Sequence, residues 1–383
     1  MTRENKAREV LLIGNGFDLA HGLHTSYEDF LSVVKDLDGF STYYYKKKTN
    51  SVYHPRGLKE ADRWDDMLSN IENSNMEEVY QMLDILKNNS WAQYYANCNA
   101  EIDGWVDFER EMIPALNFYN YIVNYNCSTR GTQEKPYARV VHPEQGTRRM
   151  AHLWPKYIYR CGGLGENSQE QAVLIQSAFS DITYGVKKKQ LLKSLLDELD
   201  EFEQAFEIYL REIAMQKPFA KLPLFENMKV SNVISFNYTP TFLNYPWGLC
   251  DTDVCHVHGS IYEPGSIIFG VNKVDNDAEY LFKEYEKAYQ RLTYNLKPAY
   301  KRFLKNGEYN LTIFGHSLDV TDEGILNPAI KGAKKTTIYY RETEDNRDGD
   351  KNSKIKNLMI LLGDKEADEK LSNGRIELKP YMG

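Results

Sequence analysis

The apolar run Val10-Leu11-Leu12-Ile13, broken by Gly14-Asn15-Gly16, sets the strongest limit on how this chain folds. Unbroken apolar residues running into glycines describe a buried strand that ends in a tight turn. The following Ala20-His21-Gly22-Leu23 can open a helix. Strand, glycine turn and helix start together present backbone N–H groups to a phosphate. Glycine lets the backbone approach that closely and tolerates positive φ, and Asn15 tolerates the same region.

Later segments repeat the strand signal. Val230–Phe236, Val254–His258, Ile267–Phe269, Leu311–Phe314 and Thr336–Tyr340 are β-rich, and Ile376–Leu378 can add an edge strand. Between the first strand and these lies a stretch with helical spacing. Met76, Val79, Met82, Leu83 and Leu86 form one apolar stripe, and Trp105, Phe108, Met112, Ile113 and Leu116 form another. Leu191–Met215 is the longest amphipathic run, with no proline before Pro218. Ser26 with Asp29 marks a helix start, Ser41–Pro55 reads as a Tyr- and Lys-rich loop, Ala278–Phe303 carries helical candidates, and Met359–Leu362 a short helix. The pattern predicts an α/β fold: a Rossmann-like parallel sheet with a large, mainly helical insertion. The expected division is a discontinuous nucleotide-binding domain over 1–40 and 226–345, the insertion over 41–225, and a charged C-terminal extension over 346–383.

Composition narrows the function. The net charge of -8 argues against a whole-protein attraction to nucleic acid. The five cysteines, Cys98, Cys127, Cys161, Cys250 and Cys255, are scattered and odd in number, which fits reduced thiols in a cytoplasmic protein. The polar N-terminus reaches a strand too early for a secretory signal, and no stretch is apolar enough to span a membrane. Twenty-eight tyrosines fit half-wet aromatic interfaces or a coding bias equally well.

Gly14-Asn15-Gly16, Asn237-Tyr238-Thr239, His258-Gly259-Ser260 and Gly315-His316-Ser317-Leu318-Asp319 each follow an expected strand. In an open α/β sheet the ligand crevice lies beyond the carboxyl ends of the strands, so these segments are expected to converge. The order GNGFDLAHG, SFNYT, VHGS, IIFG, IFGHSLD resembles the abortive-infection AbiH family of bacterial phage-defence proteins. It is more distantly similar to sirtuin-like NAD-binding domains. In the insertion, Trp105-Val106-Asp107-Phe108-Glu109 is similar to a W-x-D-x-E segment of AbiH proteins.

The resemblance implies an anti-phage effector that hydrolyses a nucleotide, with NAD cleaved to nicotinamide and ADP-ribose. Gly14 and Gly16 would approach the pyrophosphate, with Asn15 beside them. Asn237 would hold the nicotinamide ribose or a water, and His258 would be the general base. His316 and Ser317 would contact the nucleotide, and Gly270 would keep its strand end low enough to admit it. Asp18 would cap the helix or touch a ribose. Two departures stand out: Thr239 replaces the Asp of the sirtuin Asn-x-Asp pattern, and the four-cysteine zinc module is absent. The expected partners are a nucleotide, a phage-derived trigger protein and a second copy of the chain, with no membrane and no resident metal.

Cleaving the nicotinamide–ribose bond releases a neutral base, so the chemistry asks for sugar positioning, a polar amide and a base near neutral pKa. Bland roles stand beside these. Asn237 can cap the turn near Pro240, His258 can be a turn histidine, and His316 can pack a loop. His256 and His258 alternate and should share one side of a strand. His21 and His24 read as surface or capping residues, Trp105 as core, and Asp107 or Glu109 as reaching the cleft. A metal-dependent phosphoesterase or nuclease using Asp18, His256, His258, His316 and Asp319 is the rival enzyme class, and a non-catalytic nucleotide sensor is the rival binding module.

Overall fold

The computed structural model describes residues 7–51, 60–96, 108–109, 111–116, 188–218, 220–249, 252–273, 279–296, 298–305, 308–342 and 349–382. The chain divides into two compact units, one of Met1–Ser26, Ala214–Ile268 and Arg291–Gly383, the other of Tyr27–Ile213 and Phe269–Gln290.

The first unit is built on a parallel sheet. Its strands are β1 (Arg8–Ile13), β2 (Asn232–Ser235), β3 (Asp253–His256), β4 (Tyr309–Phe314), β5 (Lys335–Glu342) and β6 (Ile376–Met382), in the spatial order β3-β2-β1-β4-β5-β6. Every pairing is parallel, with Leu12 level with Ile234 on one side and Ile313 on the other. Parallel strands buried on both faces read as continuous apolar runs, which is why β1 was legible. Val10, Leu12, Ile234, Leu311, Ile313 and Ile338 pack on one face. Leu11, Ile13, Val233 and Phe314 pack on the other with Phe17, Phe225 and Tyr245.

The helices follow the same division. Helix α1 (Asn15–Ala20) leaves β1 toward the face that holds Phe17. Helices α2 (Glu323–Gly332), α3 (Lys351–Leu362) and α4 (Asp364–Ser372) cover the opposite face through Leu326, Ile330, Leu358, Leu361 and Ala367. Strand order therefore reverses between β1 and β4, and the segments leaving those two strands part to opposite faces of the sheet.

At that reversal the backbones touch. Gly14 N–H donates to the Phe314 carbonyl at 3.1 Å and Gly16 N–H to the Gly315 carbonyl at 2.8 Å. A Cβ on Gly16 would lie 2.7 Å from Gly315 Cα. Gly14 itself is extended, with φ -122°, and Asn15 already belongs to α1. The expected left-handed turn at residues 14–16 is thus corrected: glycine is required there for close approach. The left-handed residue is Gly315, φ +69°, where a Cβ would meet Phe17 N at 2.1 Å.

The strand expected at Ile267–Phe269 does not form. Ile268 N–H donates to the His258 carbonyl at 3.0 Å, and the buried side chains of Ile267 and Ile268 are satisfied by packing without a ladder.

The second unit is helical. The loop expected over Ser41–Pro55 is a helix from Leu37 to Lys48, and residues 52–55 lie outside the described residues. Asp36 caps it by accepting from Gly39 N–H at 2.9 Å, Phe40, Tyr43 and Tyr44 are its buried side, and Lys46–Lys48 sit favourably at its carboxyl end. The tyrosines that suggested a loop are its packing face. Helices Met76–Lys87 and Lys188–Glu212 form as the periodicity predicts. Phe30, Phe108, Phe202, Phe206 and Phe269 make an aromatic core for this unit. Glu109 is buried against Lys287 at 2.5 Å, while Trp105 and Asp107 lie outside the described residues. Among the cysteines, Cys255 is buried as a reduced thiol, and the other four lie outside the described residues.

Replacing Gly315 with Ala is expected to cost about 2–4 kcal/mol, from left-handed strain plus overpacking. Gly324→Ala, in open space on α2, should be neutral or stabilising by about 0.5–1 kcal/mol. Denaturant unfolding of both variants checks the contrast.

Candidate functional site

The carboxyl ends of β1, β2, β3 and β4 carry a continuous set of polar side chains within the sheet unit. Asp18 projects from α1 and is 1% exposed. The Thr239 hydroxyl donates to its Oδ2, and Thr241 donates on to Thr239 Oγ1 at 3.2 Å. Burial pushes the Asp18 carboxyl from its ordinary 3.8 up to about 6, against the opposing pull of the Thr239 hydroxyl. Asn237, 4% exposed, is pinned through its backbone. Its N–H donates to Ser235 Oγ at 3.2 Å, and its carbonyl accepts from Ser235 Oγ at 3.1 Å and His256 Nδ1 at 3.0 Å. Among the described residues, neither polar atom of the Asn237 amide nor Oδ1 of Asp18 finds a hydrogen-bond partner.

On the other side of Asn237, the Phe236 ring packs edge-on against two imidazoles, His258 at 5.5 Å and His316 at 4.4 Å between centroids. Both imidazoles face one carboxylate. His258 Nε2 is 3.2 Å from Asp322 Oδ1, and His316 Nε2 is 3.5 Å from Asp322 Oδ2.

The structure therefore brings together Gly14, Gly16, Asp18, Asn237, His258 and His316. Asn15 is engaged locally, its Oδ1 accepting from Thr25 Oγ1 at 2.6 Å. Ser317 is exposed, its Oγ accepting from Asp319 N–H at 3.3 Å. Gly270 belongs to the helical unit, where a Cβ would meet the Tyr285 carbonyl at 2.8 Å, and it does not end a strand.

Two histidine readings are corrected. His256 and His258 do not share a side: β3 ends at His256, which packs on Phe242 of one face, whereas His258 packs on Phe236 of the other. The chain has left strand geometry between them. His21 is a core residue. Its Nδ1–H donates to the Phe17 carbonyl, and the Tyr245 hydroxyl donates to its Nε2 at 2.7 Å while accepting from Leu222 N–H at 2.8 Å. Burial lowers its pKa, in keeping with that neutral form.

Asp322 was missed from sequence. The one available signal was an aspartate just ahead of the Glu323 helix, which ordinarily means a cap. No group of three or more His, Cys, Asp or Glu among the described residues is arranged to hold a metal ion. No helix among them is long and apolar enough to cross a membrane.

A parallel α/β unit with polar groups gathered at its strand ends is a frame for ligand binding. A family model described as bacteriophage abortive infection AbiH matches residues 10–340, and the chain belongs to that family. Its role therefore falls within phage abortive infection. No curated protein and no solved structure matches the chain.

The raised Asp18 pKa makes a pH prediction. The folded state holds this proton more tightly than the unfolded chain, so the contribution of Asp18 to stability falls as pH rises from about 4 to about 6 and is level above that. Asp18→Asn removes the effect, so its stability relative to wild type should climb across that window by up to about 3 kcal/mol. Urea unfolding at several pH values measures it; a difference that stays flat with pH would count against a buried, titrating Asp18.

Proposed function

We propose that the sheet unit is a nucleotide hydrolase that cleaves NAD to nicotinamide and ADP-ribose during abortive infection. The observation that carries this reading is the trio of unpartnered buried atoms, Asp18 Oδ1, Asn237 Oδ1 and Asn237 Nδ2. A buried polar atom without a partner costs about 1–3 kcal/mol, and such sites are retained where a ligand repays the cost. Two acceptors beside one donor match a vicinal diol, which offers two O–H groups and a lone pair. A ribose carries that diol. Asp18 also supplies a carboxylate next to Asn237 where the second motif, with Thr239, lacks one.

The strand order supports the substrate class, because β3-β2-β1-β4-β5-β6 is the order of doubly wound, Rossmann-like sheets that hold dinucleotides at the strand reversal. On this reading the pyrophosphate lies by the turn at Gly14–Gly16, with Ser317 on the nucleotide; His316, whose ring nitrogens face Leu318 N–H and Asp322, supports the site from behind, and Gly270 is not used. Asp18 and Asn237 grip the nicotinamide ribose, and Asn237 also orients the attacking water. As the bond from C1′ to the nicotinamide nitrogen breaks, the nicotinamide leaves as a neutral base. Water forms the new C1′–O bond and gives its proton to His258. Loss of NAD would arrest the infected cell, and a phage-derived trigger would act through the helical unit.

Incubation of the purified protein with NAD should release nicotinamide, and Asn237→Ala and His258→Ala should each lower the rate by about 10²-fold or more with folding intact. Full activity in both variants defeats the assignment. NAD that survives incubation but raises the melting temperature makes the protein a nucleotide sensor instead.

A further inference from the structure

The His258–Asp322–His316 array is more elaborate than packing requires. Asp322 stands at the N-cap of α2, where an aspartate ordinarily accepts from its own helix, a contact of about 1 kcal/mol. Its side chain makes no such capping bond. The carboxylate instead lies between two buried imidazoles.

One of those imidazoles is held with unusual firmness. Leu318 N–H donates to His316 Nδ1 at 3.0 Å, so the His316 proton is on Nε2, the atom that faces Asp322. Leu318 makes that contact from a left-handed conformation, φ +64°, with its side chain fully buried, a conformation that costs a non-glycine residue about 1–2 kcal/mol. Helix α3 fixes the same loop from outside. Lys354 Nζ donates to the His316 carbonyl at 2.8 Å, and Asn357 Nδ2 to the Ser317 carbonyl at 3.0 Å.

His258 is held by its backbone in turn. Its carbonyl accepts from Ile268 N–H at 3.0 Å, and the chain then turns at left-handed Gly259, packed so closely on Ser266 that no Cβ fits. The ring presents Nε2 to Asp322. A carboxylate only accepts, so Nε2 carries the hydrogen and the lone pair of the neutral ring is on Nδ1.

We propose that Asp322 is a positioning residue for His258: anchored by His316, it selects the Nε2–H tautomer and thereby makes Nδ1 the basic atom of the site. The logic is that of a carboxylate orienting a catalytic imidazole in a hydrolase triad, with a second imidazole holding the carboxylate. Asp322 does not touch substrate. The inference rests on the hydrolase reading for its effect on rate, but not for its effect on the tautomer.

The test uses the full chain labelled with ¹⁵N-histidine, the His258 signal being assigned by its loss in His258→Gln. Wild type should show His258 protonated on Nε2 and unprotonated on Nδ1, and Asp322→Asn should shift that population toward the other tautomer. In the nicotinamide-release assay Asp322→Asn should lose about 10²-fold in kcat with KM within about twofold, and Asp322→Glu should recover part of the loss. A wild-type His258 protonated on Nδ1, or an Asp322→Asn protein with unchanged tautomer and kcat, overturns the proposal. Should Asp322→Asn not fold, the wild-type tautomer and the kcat of Asp322→Glu decide it. If wild type releases no nicotinamide, the hydrolase reading falls, while the tautomer measurement still decides the role of Asp322.

Discussion

The contact on which the sheet unit depends is backbone against backbone, Gly14 and Gly16 against Gly315 and His316. The segments leaving β1 and β4 must part to opposite faces, yet they start 2.8 Å apart at the Gly16–Gly315 hydrogen bond. No side chain fits between them. This contact sets where α1 begins, and so carries Asp18 to Thr239 beyond β2. It also sets the start of the loop that brings His316 and Asp322 to His258. A methyl group at this point would displace both halves of the polar rim together.

The two halves of that rim differ physically. Around Asp322 the carboxylate and the loop carbonyls are matched: each carboxylate oxygen faces an imidazole nitrogen, and the carbonyls at His316 and Ser317 accept from α3. Around Asn237 they are not. The amide is fixed through its backbone by Ser235 and His256, while its side chain and Asp18 Oδ1 stay unpartnered. A carboxylate set between two imidazoles, beside a buried amide whose side chain finds no partner, is the division the proposed site needs between groups that hold it in place and groups that meet a ligand.

Much of the frame was legible from residues alone. β1, β2 and β4 are short apolar runs because both of their faces are covered, and the Lys188–Glu212 helix shows a one-sided stripe. Ile267–Phe269 has the same composition as a strand but no ladder partner, a distinction that composition does not contain. Tyr43 and Tyr44 looked like loop residues because tyrosine suits wet and dry settings alike; only their burial, Tyr43 beside Trp64 and Tyr44 beside Phe40, makes them a helix face. In the candidate site, the placement of Asn237, His258 and His316 just past β2, β3 and β4 was readable from the residues. His21 was not, because its partners, Phe17 and Tyr245, come from segments more than two hundred residues apart.

The sequence by itself determined that this chain builds a parallel α/β sheet, that glycines and polar residues cluster at its strand ends, and that it is AbiH-like, since those features are local patterns and short motifs. The tertiary structure alone decided that the first glycine turn is for backbone contact, that His256 and His258 part to opposite faces, and that Asp322 serves two histidines in place of its own helix. Each of these is a relation between segments distant along the chain. Strand order and the direction in which each loop leaves the sheet fix such relations, and neither is encoded in a local stretch of residues.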